Sequence, residues 1–194
     1  MKALVLVAHP DDCVIFASAY MDAHPEFDWH IVYLTHHWWN KRAREISNYW
    51  GRRGIKTKFL GFKDHGRDLG SLELKTWSGD SAIKAIRKVA IKYEFILTHN
   101  EEGEYGHPHH CVIHKAVKDF NVSKVYFSLD TKDLALPTNI AIKELPRHTE
   151  SILVHAKEVS YYKENLNEKE KNSSTEELFG KIGFVPQSWY SPKE

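Results

Sequence analysis

The chain has 194 residues, and 27 Lys and Arg against 26 Asp and Glu leave a net charge of +1, which removes any global electrostatic case for a nucleic-acid polymer or membrane surface as partner. Length and a 42% hydrophobic content fit one globular domain with a sizeable core. The longest early apolar run is too short for a membrane span or a signal-peptide core, and two cysteines do not make a disulfide framework, so the expected location is cytoplasmic.

Residues 3–8 form a continuous apolar run stopped by Pro10, which reads as a buried strand of a parallel sheet. Asp11 or Asp12 is placed to cap a helix reaching about residue 23, where His24-Pro25 stops it. Residues 28–35 are rich in β-branched and aromatic side chains and read as a second strand. A helix over 39–54, a short strand over 57–62 and a helix over 78–94 follow. Residues 95–99 read as another buried strand, 100–108 as a loop, and 109–120 as a helix opening after Pro108. A strand is expected over 124–129. Beyond it, 147–172 is a weaker helical pattern that becomes very polar and runs into a segment at 163–177 that reads as a solvated helix end or mobile loop. The aromatic stretch 179–190 is expected to fold back on the body. Strands alternating with helices predict a single-domain α/β, Rossmann-like fold with a mostly parallel sheet.

In open parallel sheets, sites form outside the carboxyl ends of the strands. The first strand ends in His9-Pro10-Asp11-Asp12, the second in Thr35-His36-His37, and the strand at 95–99 leads into His99, Tyr105, His107, His109 and His110. Seven of 13 histidines therefore gather on one rim. Imidazole with carboxylate is a donor set for Zn²⁺ and other borderline divalent metals, Fe²⁺ included. His9 and Asp12 turn toward one point, and His107 and His110 share a helix face; the spacing does not choose which of those two completes the set. Asp11 cannot point the same way as Asp12, and a carboxylate beside a metal-activated water is placed to take its proton. Trp38 and Trp39, next to His36 and His37, either stack on a sugar or base or cover the core.

At these residues the sequence resembles the PIG-L/LmbE family of zinc-dependent N-acetylglucosaminyl deacetylases. The A-H-P-D-D motif stands at Ala8-His9-Pro10-Asp11-Asp12, and G-H-P-x-H at Gly106-His107-Pro108-His109-His110, with Tyr105 before it. Between them lie R-x-x-E at Arg42–Glu45 and L-G-F-x-D at Leu60–Asp64. The resemblance implies a three-layer LmbE-like domain over residues 1–194. It implies zinc held by His9, Asp12 and His110, and Asp11 as general base. His107 would stabilise the oxyanion or protonate the leaving amine, with Tyr105 near the carbonyl. Arg42 would grip the sugar or an attached anionic group of the substrate, a small N-acylated amino sugar or its conjugate; His36, on the rim after the second strand, and Asp64 are further candidate substrate contacts. Other N-acyl compounds, or a non-catalytic sugar-binding role, are the alternatives.

Three positions depart from the family pattern. Cys13 stands where glutamate is usual, and either packs as a buried thiol or closes the site as a fourth ligand. His109 replaces an aspartate between the two late histidines, which removes a negative charge beside His107. Val14–Ser18 replaces a glycine-rich turn. A nucleotide-binding Rossmann domain is disfavoured because the first strand lacks a G-x-G-x-x-G turn.

Overall fold

The computed structural model describes residues 1–64, 79–128, 136–137 and 186–192. Five parallel strands form the body of the sheet: β1 (Lys2–Val7), β2 (Asp28–Thr35), β3 (Lys56–Phe62), β4 (Phe95–Thr98) and β5 (Ser123–Ser128). A two-residue β6 (Leu136–Pro137) and β7 (Pro186–Tyr190) extend one edge, and the order is β3-β2-β1-β4-β5-β7-β6. β7 runs antiparallel to β5. The architecture is the mostly parallel α/β fold expected, with β1 in the middle of the five parallel strands.

Both faces of β1 are covered, which is why its sequence does not alternate with polar residues. Ala3, Val5 and Val7 pack with Ile46, Tyr49 and Trp50 of α2 (Lys41–Gly51). Leu4, Leu6 and Ala8 pack with Ala82, Ile86 and Val89 of α3 (Gly79–Ala90) and with Ile113, Ala116 and Val117 of the last described helix, Pro108–Val117. Helices on each side of one sheet make three layers.

The expected helix after Asp12 begins differently. Residues Cys13–Ala17 form a π-helical turn, and only then does α1 (Ser18–Ala23) start. Asp12 does not cap this turn with its side chain; its Oδ2 accepts the His9 N–H at 2.8 Å instead. The expected loop 100–108 contains a helical turn, α4 (Gly103–Gly106), and α5 (Pro108–Val117) begins at the proline itself. The polar segment 163–177 and the helical pattern at 147–172 lie outside the described residues. Of the aromatic stretch 179–190, Ser188–Tyr190 pairs with β5 and Pro186–Gln187 with β6, and Trp189 is buried with its Nε1–H donating to the Phe16 carbonyl at 2.7 Å. The Phe16 ring meets His99 and His110 edge-on and stacks on Phe127.

Two threonines lock the strand ends in line. Thr35 Oγ1 donates to Ala8 O at 2.8 Å, and Thr98 Oγ1 donates to Leu6 O at 2.7 Å. The carboxyl ends of β1, β2 and β4 therefore finish at one level, and the residues that follow each of them converge. Among the described residues, no helix is long and apolar enough to cross a membrane.

Candidate active site

Asp12 is the hub. Its Oδ2 stands 3.3 Å from His9 Nδ1 and 3.4 Å from His110 Nε2. Donors about 2.0–2.1 Å from a tetrahedral zinc lie roughly 3.3 Å apart, so this set fits such an ion with a fourth position left over. All three residues are buried. Burial opposes ionisation of Asp12, but the His110 and His9 imidazoles outweigh it and hold the carboxyl well below the usual range.

The histidines of this set are held from behind. His110 Nδ1–H donates to Glu104 Oε2 at 2.5 Å, so Nε2 faces Asp12. Glu104 Oε2 also accepts from His99 Nδ1 at 2.8 Å, and His99 Nε2 accepts the Ala8 N–H at 3.1 Å. Glu104 Oε1 accepts the Asn100 N–H, and Asn100 Oδ1 accepts the Glu104 N–H. This reciprocal clamp holds Glu104 at φ +58, a conformation uncommon for a side chain other than glycine. Burial works against the Glu104 carboxylate, yet His99 and His110 pull its pKa down to about 2. On the other side, His9 Nε2 shares a hydrogen bond of 3.0 Å with His109 Nδ1. Glu104 and His99 were not assigned roles from sequence. Glu104 lies in a polar loop with no periodicity, and the available signal was a single carboxylate between Gly103 and Gly106.

Asp11 turns away from Asp12 and meets Arg42, whose Nη2 lies 2.5 Å from its Oδ1. Asp11 is therefore not left without a partner, as its place in the motif suggested. Burial and then Asp12 raise its pKa, while Arg42 and His9 pull the other way. Arg42 sits in the first turn of α2, whose N-cap Asn40 accepts the Arg42 N–H through Oδ1. Its Nη1 also lies 3.6 Å from Asp64 Oδ2. Asp64 in turn approaches His36 Nε2 at 3.8 Å and His9 Nε2 at 3.7 Å. Of the three residues expected to contact substrate, Arg42 thus meets Asp11, and Asp64 links Arg42 to His36.

His107 is the N-cap of α5, and its Nδ1 accepts the His109 N–H at 3.2 Å. That bond leaves the neutral ring's proton on Nε2. Burial, then the His110 and His9 imidazoles, push the His107 pKa far down, so the neutral form is favoured. Its ring packs 4.6 Å from those of both His9 and His110. The backbone of Tyr105 lies in α4 between Glu104 and His107; its side chain is outside the described part. Cys13 faces the opposite way. Its thiol donates to Pro10 O, receives the Trp50 Nε1–H at 3.0 Å and lies 2.9 Å from Tyr33 Oη. Burial pushes that thiol well up, and among the described residues it belongs to no group that could hold a metal ion.

The sequence profile of the GlcNAc-PI de-N-acetylase family, PIG-L, matches residues 4–121, from β1 through α5. The chain belongs to the PIG-L family. An uncharacterized protein of Acanthamoeba polyphaga mimivirus is 26% identical over 155 residues, spanning 73% of this PIG-L chain and 68% of the viral one. Teicoplanin deacetylase in a zinc-inhibited form shares the fold at a TM-score of 0.53 and 12% identity, covering 94% of this chain and 90% of that one. GalB, the 4-carboxy-2-hydroxymuconate hydratase of Pseudomonas putida KT2440, does so at 0.55 and 14% identity, covering 100% and 97%. The hydratase is a reminder that this fold alone does not name a reaction. Family membership supports a deacetylase.

Proposed function

We propose that this PIG-L protein is a zinc-dependent N-deacetylase that removes an acetyl group from an amino sugar or sugar conjugate. The observation that carries the reading is the division of labour around Asp12. Three donors meet at one point, while a second carboxylate, Asp11, and a neutral imidazole, His107, stand next to them outside the set. A binding protein has no use for that second layer.

Zinc held by His9, Asp12 and His110 would polarise the acyl carbonyl and lower the pKa of water toward about 7. Asp11 takes the proton of the attacking water onto a carboxylate oxygen, with Arg42 holding that carboxylate in place. The His107 Nε2–H donates to the oxygen that gains negative charge as the carbonyl carbon becomes tetrahedral. The proton held by Asp11 then passes to the nitrogen, because an amide anion is a poor leaving group. The C–N bond breaks, and the products are a primary amine and acetate. The family resemblance would add Tyr105 near the substrate carbonyl. The sugar reading rests on the family's N-acetylglucosamine chemistry and on the hydroxyl-matching polar wall of Arg42, His36 and Asp64.

Metal analysis of the purified protein, followed by amine release across a panel of N-acetylated sugars, tests this. Asp11→Asn should keep its zinc and lose about 10²–10⁴-fold in kcat. No amine release from any panel member by the zinc-loaded protein would sink the proposal.

A further inference from the structure

We propose that Trp38 and Trp39 form a preorganised stacking platform for the face of a pyranose ring at the mouth of the site. This rests on the amino-sugar reading above and names how that substrate is held.

Trp38 and Trp39 are 71% and 58% exposed, whereas the other described tryptophans, Trp29, Trp50 and Trp189, are buried. They therefore do not cover the core. Exposing two neighbouring indoles forfeits the burial that makes tryptophan valuable, and indoles left in water this way mark contact surfaces. Their orientation is nevertheless fixed. The His37 ring stacks flat on Trp39, with centroids 4.2 Å apart and planes within 4°. Trp38 meets Trp39 edge-on, at 5.7 Å and 84°. His37 in turn lies over Gly61, where an added Cβ would come within 2.5 Å of the ring. Gly61 also has φ +83, so a side chain is excluded there twice. The seat of Trp39 is thus built into β3, and one face of the indole is occupied by His37.

The platform is beside the chemistry. Trp39 is three residues from His36 and three from Arg42, a chain distance of at most about 11 Å to each. Gly61 is three residues before Asp64. The segment 36–42 therefore carries polar contacts at both ends and the aromatic pair between them. The face of an indole is electron-rich, and the C–H bonds on one face of a pyranose carry partial positive charge; stacking needs no charge on either partner. Fixed indoles bind without first losing rotamer freedom.

Binding is read by calorimetry on the zinc-loaded Asp11→Asn protein, with methyl N-acetyl-β-glucosaminide and N,N′-diacetylchitobiose as probes. Trp39→Ala should weaken the better-bound probe about 3- to 10-fold, the range of one aromatic stacking contact. Trp39→Phe should recover most of that affinity. In the background with Asp11 intact, the same Trp39→Ala change should raise KM by a similar factor and leave kcat within about twofold. Gly61→Ala should weaken binding in the same direction by displacing His37. Unchanged affinity in both Trp38→Ala and Trp39→Ala overturns the platform, as does failure of either sugar to bind. A fall in Tm accompanied by loss of kcat also overturns it, since that marks packing residues. Amine release that ignores Trp39 removes the platform and leaves the deacetylase standing. Sugar binding that needs Trp39, with no amine released by the intact protein, does the reverse.

Discussion

Asp11 and Asp12 share one turn and are both buried, yet their surroundings push them apart. Asp12 faces the imidazoles of His9 and His110 and is held ionised. Asp11 faces Arg42, with burial and its neighbour raising its pKa. The contrast extends to the two walls they belong to. The Asp12 wall comes from β1, the end of β4 and α5, and its His99, His109 and His110 are fully buried. The Asp11 wall comes from the β2–α2 connection and the end of β3, and its Arg42 and Asp64 side chains keep 30% and 21% of their exposure. One wall is organised to hold a fixed point and the other to meet something that arrives from solvent. In the proposed mechanism this separation by environment would let one carboxylate serve as ligand and its neighbour as base.

Three substitutions test that contrast, from the largest expected effect down. Asp12→Asn removes the anion between two imidazoles, and zinc affinity should fall by more than about 100-fold, beyond what loss of an outer partner costs. A chelator competition titration measures it; near-normal affinity would mean that Asp12 is not the hub. Glu104→Gln keeps shape but removes the charge behind His110, and affinity should fall about 10- to 100-fold with the fold intact. Arg42→Ala acts on the other wall, leaving zinc content unchanged and moving the pH profile. Arg42 favours the ionised form of Asp11, so its loss raises the Asp11 pKa further. If Asp11 is the base, as proposed, it must be ionised to accept a proton, so activity should disappear at a higher pH as the solution is acidified. If the acid limb of kcat/KM stays put, Arg42 does not act through Asp11.

Much of this was legible in the sequence because it is local. Apolar runs and the residues that stop them marked β1, β2, β4 and α5, and the rule about strand ends brought their polar tails to one rim. His9 and Asp12 do face one point, and the third group there is His110, a choice that the spacing left open and only the family resemblance implied. What was not legible depends on groups distant in the chain or on backbone conformation. The Arg42–Asp11 pair joins residues 31 apart through the angle at which α2 packs. Glu104 reaches His110 only because Asn100 clamps it at positive φ, a state that propensity argues against. The helix cap expected of Asp12 failed because its oxygen was needed by the His9 N–H and by two imidazoles. β7 could not be paired from pattern, since its partner β5 lies about 60 residues earlier.

The hydrogen bond from Trp189 to the Phe16 carbonyl has a consequence for the order in which this protein matures. Phe16 is the floor beneath His99 and His110, and its far anchor is a residue near the end of the chain. A ribosome delivers the motif at residues 8–12 long before it delivers Trp189. The nascent protein therefore carries His9 and Asp12 well before the brace that Trp189 sets behind Phe16.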